Sequence, residues 1–401
     1  MNKYTIIALV TLFVTNFTLF LGWVPIGVMI PQTLFIIATI IVQSRLLVSK
    51  SLLFCLLFFI YQVISGLFYG KGFDITGLAS QFYGMAIPLI ISTFLFDPNH
   101  HRDCRGVSKY ALIVSFVTML LSIRVLLFNG SALRVTSMAN STGDWSTLYS
   151  YWRQGMADYA MAAMMLFMPG VLIHYSRFYK KKWSFPVIAG IIISFAFLYL
   201  GQVTTPFVLG ILIAVMSLLN LKNRSVAIVG IGMVLLMIVT QFTGLLDFAI
   251  SHTSGSAMNE RFSSMAAVVN GEELDETSDV SVRWALIGLS VKAFISNPLF
   301  GNCAAEIGGH NFFLDSLARY GIIGCIPFFL LIKSQYNIIS SVLSDNTKRY
   351  YLIILFGFIT LGILKNMSGT EYWNYLFIYY PALLVWFDNI QKKKEHLIMQ
   401  K

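Results

Sequence analysis

Near the C-terminal third of the chain, Gly308-Gly309-His310-Asn311 sets an imidazole behind two flexible glycines and at the start of a helical pattern. Imidazole changes charge between pH 5 and 8, so a histidine in such a setting is a candidate proton acceptor. Asp315 and Arg319 follow four residues apart, a spacing that lets them pair on one helix face. The other candidate groups in the longer polar segments are mostly cations: Arg134, Arg153, Arg261, Arg283 and Lys292, with His252.

An acidic group, Glu272, Glu273, Asp275, Glu276 and Asp279, lacks the spacing of a calcium loop and reads as a solvated loop tip. No helical histidine pair exists to hold a transition metal, so no metal and no cofactor is expected. Cys55, Cys104, Cys303 and Cys325 have no C-x-x-C spacing, and the three in or beside apolar segments read as small buried hydrophobes.

The elements that must position these groups are membrane helices. The chain has 401 residues, of which 57% are hydrophobic and only 11% charged, with a mean hydropathy of +0.74. Soluble domains are about a quarter charged. Apolar runs of about 20 residues recur, each able to cross a hydrocarbon layer of about 30 Å. Composition therefore excludes a soluble enzyme, a nucleic-acid binder, a coiled coil and a disordered scaffold.

Spans are expected at about 4–22, 25–43, 51–69, 76–96, 110–128, 158–175, 184–202, 205–220, 226–243, 321–338, 350–366 and 373–388. The fold class is an all-α polytopic bundle of about 12 spans in a single membrane domain over 1–401. The N-terminal run shows no small-residue cleavage site and reads as a retained first span.

With both termini in the cytoplasm, most of the 28 basic residues fall on cytoplasmic segments, including Arg177, Lys180, Lys181, Lys182, Lys392, Lys393 and Lys394. That asymmetry is the positive-inside rule, and it accounts for the whole of the positive balance in the net charge of +10. Two outward segments are then too long for connectors: 129–157, and the large segment 244–320. Within the second, 281–296 reads as a helix ended by Asn297-Pro298, and a further helix runs from about Asn311 into the tenth span.

Arg124 lies near the outward end of the fifth span, where snorkelling and a functional role fit equally well. Asp158 opens the sixth span as a helix cap. The 17 methionines and 33 phenylalanines read as packing or lipid-facing residues.

Against this frame the motifs are more specific. His310-Asn311, nine residues, then Gly321-Ile322-Ile323-Gly324 is similar to the pattern H-[NSQ]-x9-G-x-x-[GTY] of the bacterial O-antigen polymerase and O-antigen ligase superfamily. Arg283-Trp284, followed by Asn297-Pro298-Leu299-Phe300-Gly301, resembles the R-x-x-W…NP-L-x-G stretch that precedes that histidine. Arg261 resembles the arginine that opens this loop. The likeness covers about 185–330, and the first 180 residues match only in span pattern. One departure is Gln202-Val203-Thr204-Thr205-Pro206, where many members carry an arginine; that cationic contact is either absent or supplied elsewhere, by Arg134 or Arg153.

The resemblance implies a GT-C-type, metal-independent glycosyltransferase of the bacterial inner membrane, multi-pass, with an undecaprenyl-diphosphate-linked glycan as donor. Its site would face the periplasm, and its partners would be membrane lipid and a chain-length regulator. His310 and Arg283 would be catalytic; Arg261, Arg134, Arg153, Asn311 and Arg319 would bind substrate. The wording around His310 favours a polymerase over a ligase that transfers the glycan to lipid A–core. A protein O-glycosyltransferase of the same superfamily fits less well. A lipid-linked oligosaccharide flippase remains the non-enzymatic reading, although span centres are nearly uncharged and no two-half repeat is visible.

Overall fold

The computed structural model describes residues 3–24, 29–70, 75–97, 103–180, 182–218, 250–251, 257–270, 279–303, 305–367 and 369–399. His252, the ninth expected span and the acidic group apart from Asp279 lie outside the described residues. Among the described residues every regular element is helical.

In chain order these are α1 (Lys3–Asn16), α2 (Thr18–Trp23), α3 (Met29–Gln43), α4 (Lys50–Phe68), α5 (Ile75–Leu95) and α6 (Cys104–Phe128). Two surface helices follow, α7 (Ala132–Thr142) and α8 (Trp145–Arg153). Next come α9 (Tyr159–Met164), α10 (Met168–His174), α11 (Phe185–Leu200), α12 (Thr204–Leu218) and α13 (Ala257–Asn270). The chain then forms α14 (Asp279–Ser296), α15 (Phe312–Val342), α16 (Asp345–Leu364), α17 (Thr370–Asn374) and α18 (Tyr380–Met399).

Seven of these stretches are long and apolar enough to cross a membrane, among them α4, α5, α6, α15, α16 and the continuous Tyr159–Tyr179 stretch. α1, α11 and α12 are shorter apolar helices. The protein is therefore a helical membrane protein, with the fifth expected span starting at Cys104, six residues ahead of its sequence estimate. Hydrophobicity alone cannot place that start: Asp103 and Arg105 are polar, yet Cys104, Val107 and Ser108 are buried against the bundle.

Tyr159–Tyr179 is the most enclosed of the crossing stretches. It passes through a short 3-10 stretch at Met165–Phe167 and a wider π turn at Tyr175–Lys180, and side chains from Met161 to Met168 are all shielded. Around it, helices are joined by side-chain hydrogen bonds that lipid cannot offer. Ser92 donates to Gln335 at 2.9 Å, Asn374 donates to Asn16 at 2.6 Å, and Ser115 and Tyr375 share a bond of 2.9 Å.

At the end of α16 remote from His310, buried Asp388 accepts from Tyr179, from Thr347 and from both the backbone N–H and the hydroxyl of Ser344. A buried carboxylate so fully bonded acts as a clasp between α16 and α18. All four cysteines are free and buried, so the small-hydrophobe environment expected for three of them holds for the fourth as well.

Candidate functional site

His310 sits on the loop between α14 and α15, exposed, with its backbone anchored on three sides. From α14, the buried hydroxyl of Ser290 accepts the Gly308 N–H at 3.0 Å and donates to Asp315 Oδ1. From α15, Asp315 Oδ2 accepts the Asn311 N–H at 2.9 Å. From the end of α16, Asn366 donates to the Gly309 carbonyl at 3.3 Å, and the Lys365 carbonyl accepts the Phe312 N–H at 3.1 Å. The imidazole is thus held out from a loop whose backbone is bonded at 308 and 309 before it and at 311 and 312 after it.

This arrangement replaces the Asp315–Arg319 pair expected from their spacing. Asp315 is buried and spends its oxygens on Ser290 and Asn311. Arg319 is half-buried, and its Nε has no hydrogen-bond partner. Spacing of four along a helix permits a pair; here a hydroxyl from another helix and an N–H at the helix start reach the carboxylate first. Asn311, expected to bind substrate, is only 3% exposed, and it caps α15 through its backbone.

The turn after α14 is built into α15. Gly301 has φ +73° and Gly321 has φ +63° with ψ −175°, a break inside the long helix. The freed backbone groups are taken up across the gap: Ile322 N–H donates to the Pro298 carbonyl at 2.9 Å, Ile323 N–H to Leu299 at 3.0 Å, and Asn302 N–H to Ala318 at 2.9 Å. Side chains from α4 and its C-terminal cap close over the same turn, with Tyr69 donating to the Gly301 carbonyl at 2.7 Å and Tyr61 to that of Phe300 at 3.0 Å. The Asn-Pro-Leu-Phe-Gly and Gly-x-x-Gly stretches are therefore two halves of one joint.

Arg283 lies on α14 and Arg261 on α13. Position 283 precedes Ser290 by seven residues, two helical turns, so it shares the helix face that docks the histidine loop, about 10 Å along the axis. Arg134 is exposed on α7. Its neighbour Leu133 packs against Gly201, and Gln202 comes up beside Gly130, so α7 lies over the turn where the expected arginine is missing. Arg153 is exposed and donates from Nε to the Gly22 carbonyl at 2.8 Å, tying α8 to α2.

Two features escaped the sequence reading. Lys365 donates to Tyr159 Oη at 2.6 Å and lies 5.1 Å from the centre of its ring. It is a cation at the expected outward end of a span, against the usual charge bias, which was its signal.

Beside Tyr159, Asp158 caps α9 by accepting the Ala160 N–H, as expected, and α17 brings Glu371 against it. Both are half-buried; Asp158 opens its expected span and Glu371 lies two residues ahead of its own. Burial, then the nearby Asp158 carboxylate, pushes Glu371 up to about 8. An acid whose pKa rises on folding contributes its stability fully below the unfolded value and loses it as pH climbs through the folded one. Stability should fall between about pH 4.5 and about 8, and Glu371→Gln should flatten that slope. Melting of the detergent-solubilised protein across this range checks it; an unchanged slope in the variant would place the titration elsewhere.

The fold and this site define a helical membrane protein with a pinned, histidine-bearing loop at one end of its bundle. No family model matches the chain, and no curated protein matches it.

Proposed function

We propose that the chain is a membrane glycosyltransferase of the O-antigen polymerase type, with about 12 spans, a GT-C-type fold and its site on the periplasmic side of the inner membrane. It joins undecaprenyl-diphosphate-linked repeat units into polysaccharide. The observation that supports this most is the docking of the His310 loop onto the face of α14 that also holds position 283. That register lets a proton acceptor and an arginine address one substrate.

Cleavage of the anomeric C–O bond builds negative charge on the departing diphosphate, which a preorganised guanidinium stabilises as it develops. Arg283 takes this role, with Arg261, Arg319 and Arg134 as further phosphate contacts. His310 removes the proton from the acceptor hydroxyl as it attacks the anomeric carbon. Arg134 stands in for the arginine missing at 202–206, since α7 overlies that turn.

Purified variants lengthening a lipid-linked glycan test the reading. His310→Ala should abolish transfer while leaving donor binding intact. Arg283→Lys should lose most activity, about 100-fold on the scale of losing one oxyanion-type donor, because a point charge does not replace a bidentate fork. Near-normal growth by His310→Ala would end the general-base role. Transfer should also continue in EDTA; loss with rescue by magnesium would require a metal role for the acidic group. Activity in detergent, without a sealed vesicle, separates transfer from flipping. Transfer to lipid A–core in place of chain growth would make the protein a ligase.

A further inference from the structure

On the same end of the bundle, the tip of α6 and the surface helix α8 enclose an open groove of about 740 Å³ that the transfer reading does not use. α8 carries two stripes. Leu148 and Trp152 are buried with Leu21 of α2 and Ala139 of α7. Thr147, Ser150, Tyr151 and Gln154 stand at i, i+3, i+4 and i+7, so they share one face, and that face lines the groove. Opposite them on α6 are Arg124 and Phe128.

Three observations speak for a ligand. Arg124 is exposed and, among the described residues, no carboxylate pairs with it. Asn129 donates to Tyr151 Oη at 2.8 Å and accepts from Ser131 at 2.9 Å, which holds the phenol oxygen in place at the groove while leaving the phenol O–H to be used as a donor. The groove is linked to the His310 end, because Ser122 of α6 bonds Gly155 and Ala157, and two residues on Tyr159 meets Lys365.

Neutral hydroxyls and amides, an oriented phenol, an aromatic ring at the rim and a single cation are the groups that recognise a sugar with one acidic substituent. A lipid chain would need apolar walls on both sides; α6 supplies Val125 and Phe128, whereas the α8 side offers Ser146, Thr147, Ser150 and Gln154.

We propose that this groove is a saccharide subsite that takes a sugar bearing a carboxylate or phosphate, with Arg124 reading the anion and Tyr151 a hydroxyl. The ligand class rests on the glycan-transfer reading. Saturation-transfer NMR on the full-length protein in phosphatidylcholine nanodiscs tests it, with a hyaluronan tetrasaccharide as acidic probe and chitotetraose as neutral probe.

Wild type should bind the acidic probe about ten-fold more tightly, the scale of one charge-assisted contact. Arg124→Gln should erase that preference while retaining neutral binding, and Tyr151→Phe should weaken both probes about three-fold. Melting temperatures matched to wild type establish that the variants are folded. Absence of saturation for both probes, or an unchanged preference in Arg124→Gln, overturns the subsite. Displacement of the acidic probe by phosphatidylglycerol that depends on Arg124 overturns it in favour of a lipid-headgroup site. Binding is read without turnover. A protein that binds but never lengthens glycan therefore counts against transfer alone, and one that lengthens glycan without binding counts against the groove alone.

Discussion

Gly321→Ala will destabilise the His310 end of the protein far more than Gly309→Ala, although both glycines have positive φ. Gly309 (φ +70°) has nothing within 4 Å of where a Cβ would stand. An alanine there costs only the backbone strain, about 1 kcal/mol. Gly321 pairs φ +63° with ψ −175°, a region open essentially to glycine alone. A Cβ there would also strike the Leu299 carbonyl and the Gly301 N–H, which are backbone and cannot swing aside.

Strain of about 1–3 kcal/mol plus a backbone collision should cost about 3–5 kcal/mol together. The joint between the 297–301 turn and α15 should then open. Thermal unfolding in detergent, with Gly324→Ala as a third member, gives the ordering. Gly324 meets the Tyr61 ring, a side chain that can rotate, so its cost should fall between the other two. Equal losses at 309 and 321 would mean that the joint is not closed in solution.

The same joint shows what a sequence can and cannot convey. Runs of apolar residues mark crossing helices because the hydrocarbon layer leaves few alternatives, and the end of α14 is readable from Asn297-Pro298, where proline disfavours a further helical turn. The cap at Asp158 was legible for the same local reason.

Contacts between distant positions were not. Ser290 and Asp315 are 25 apart in sequence, and nothing in either neighbourhood marks them as partners. The i, i+4 rule offered Arg319, and a local rule cannot weigh a competitor it does not contain. The Gly-x-x-Gly pattern was visible, but its physical content, a helix break filled by another segment's carbonyls, appears only when both halves are placed. The polar stripe on α8 could be read from its spacing, whereas the groove it lines depends on α2 holding the opposite stripe.

Asp315 is the second position where a large loss is expected. Asp315→Ala removes the acceptor for the Ser290 hydroxyl and for the Asn311 N–H, both in buried surroundings, and leaves each donor without a partner. Buried unsatisfied groups cost about 1–3 kcal/mol each, so a loss of about 2–5 kcal/mol follows. Asp315→Asn keeps the shape and one acceptor oxygen but turns an NH₂ toward one of the two donors, and its loss should be intermediate.

Arg319→Met separates this geometry from the pair that spacing invites. With Nε already lacking a hydrogen-bond partner and Asp315 satisfied elsewhere, an apolar side chain of similar length should be tolerated or stabilise slightly. A loss in Arg319→Met equal to that in Asp315→Ala would show that the two do pair. A double-mutant cycle supplies the direct measurement: Ser290→Ala with Asp315→Ala should show a coupling of about 1–2 kcal/mol, whereas Arg319→Met with Asp315→Ala should add. Because Ser290 also holds the Gly308 N–H, Ser290→Ala should release the His310 loop and reduce transfer while His310 itself is unchanged. Transfer that survives with the loop unpinned would mean that the histidine does not depend on its anchors for alignment.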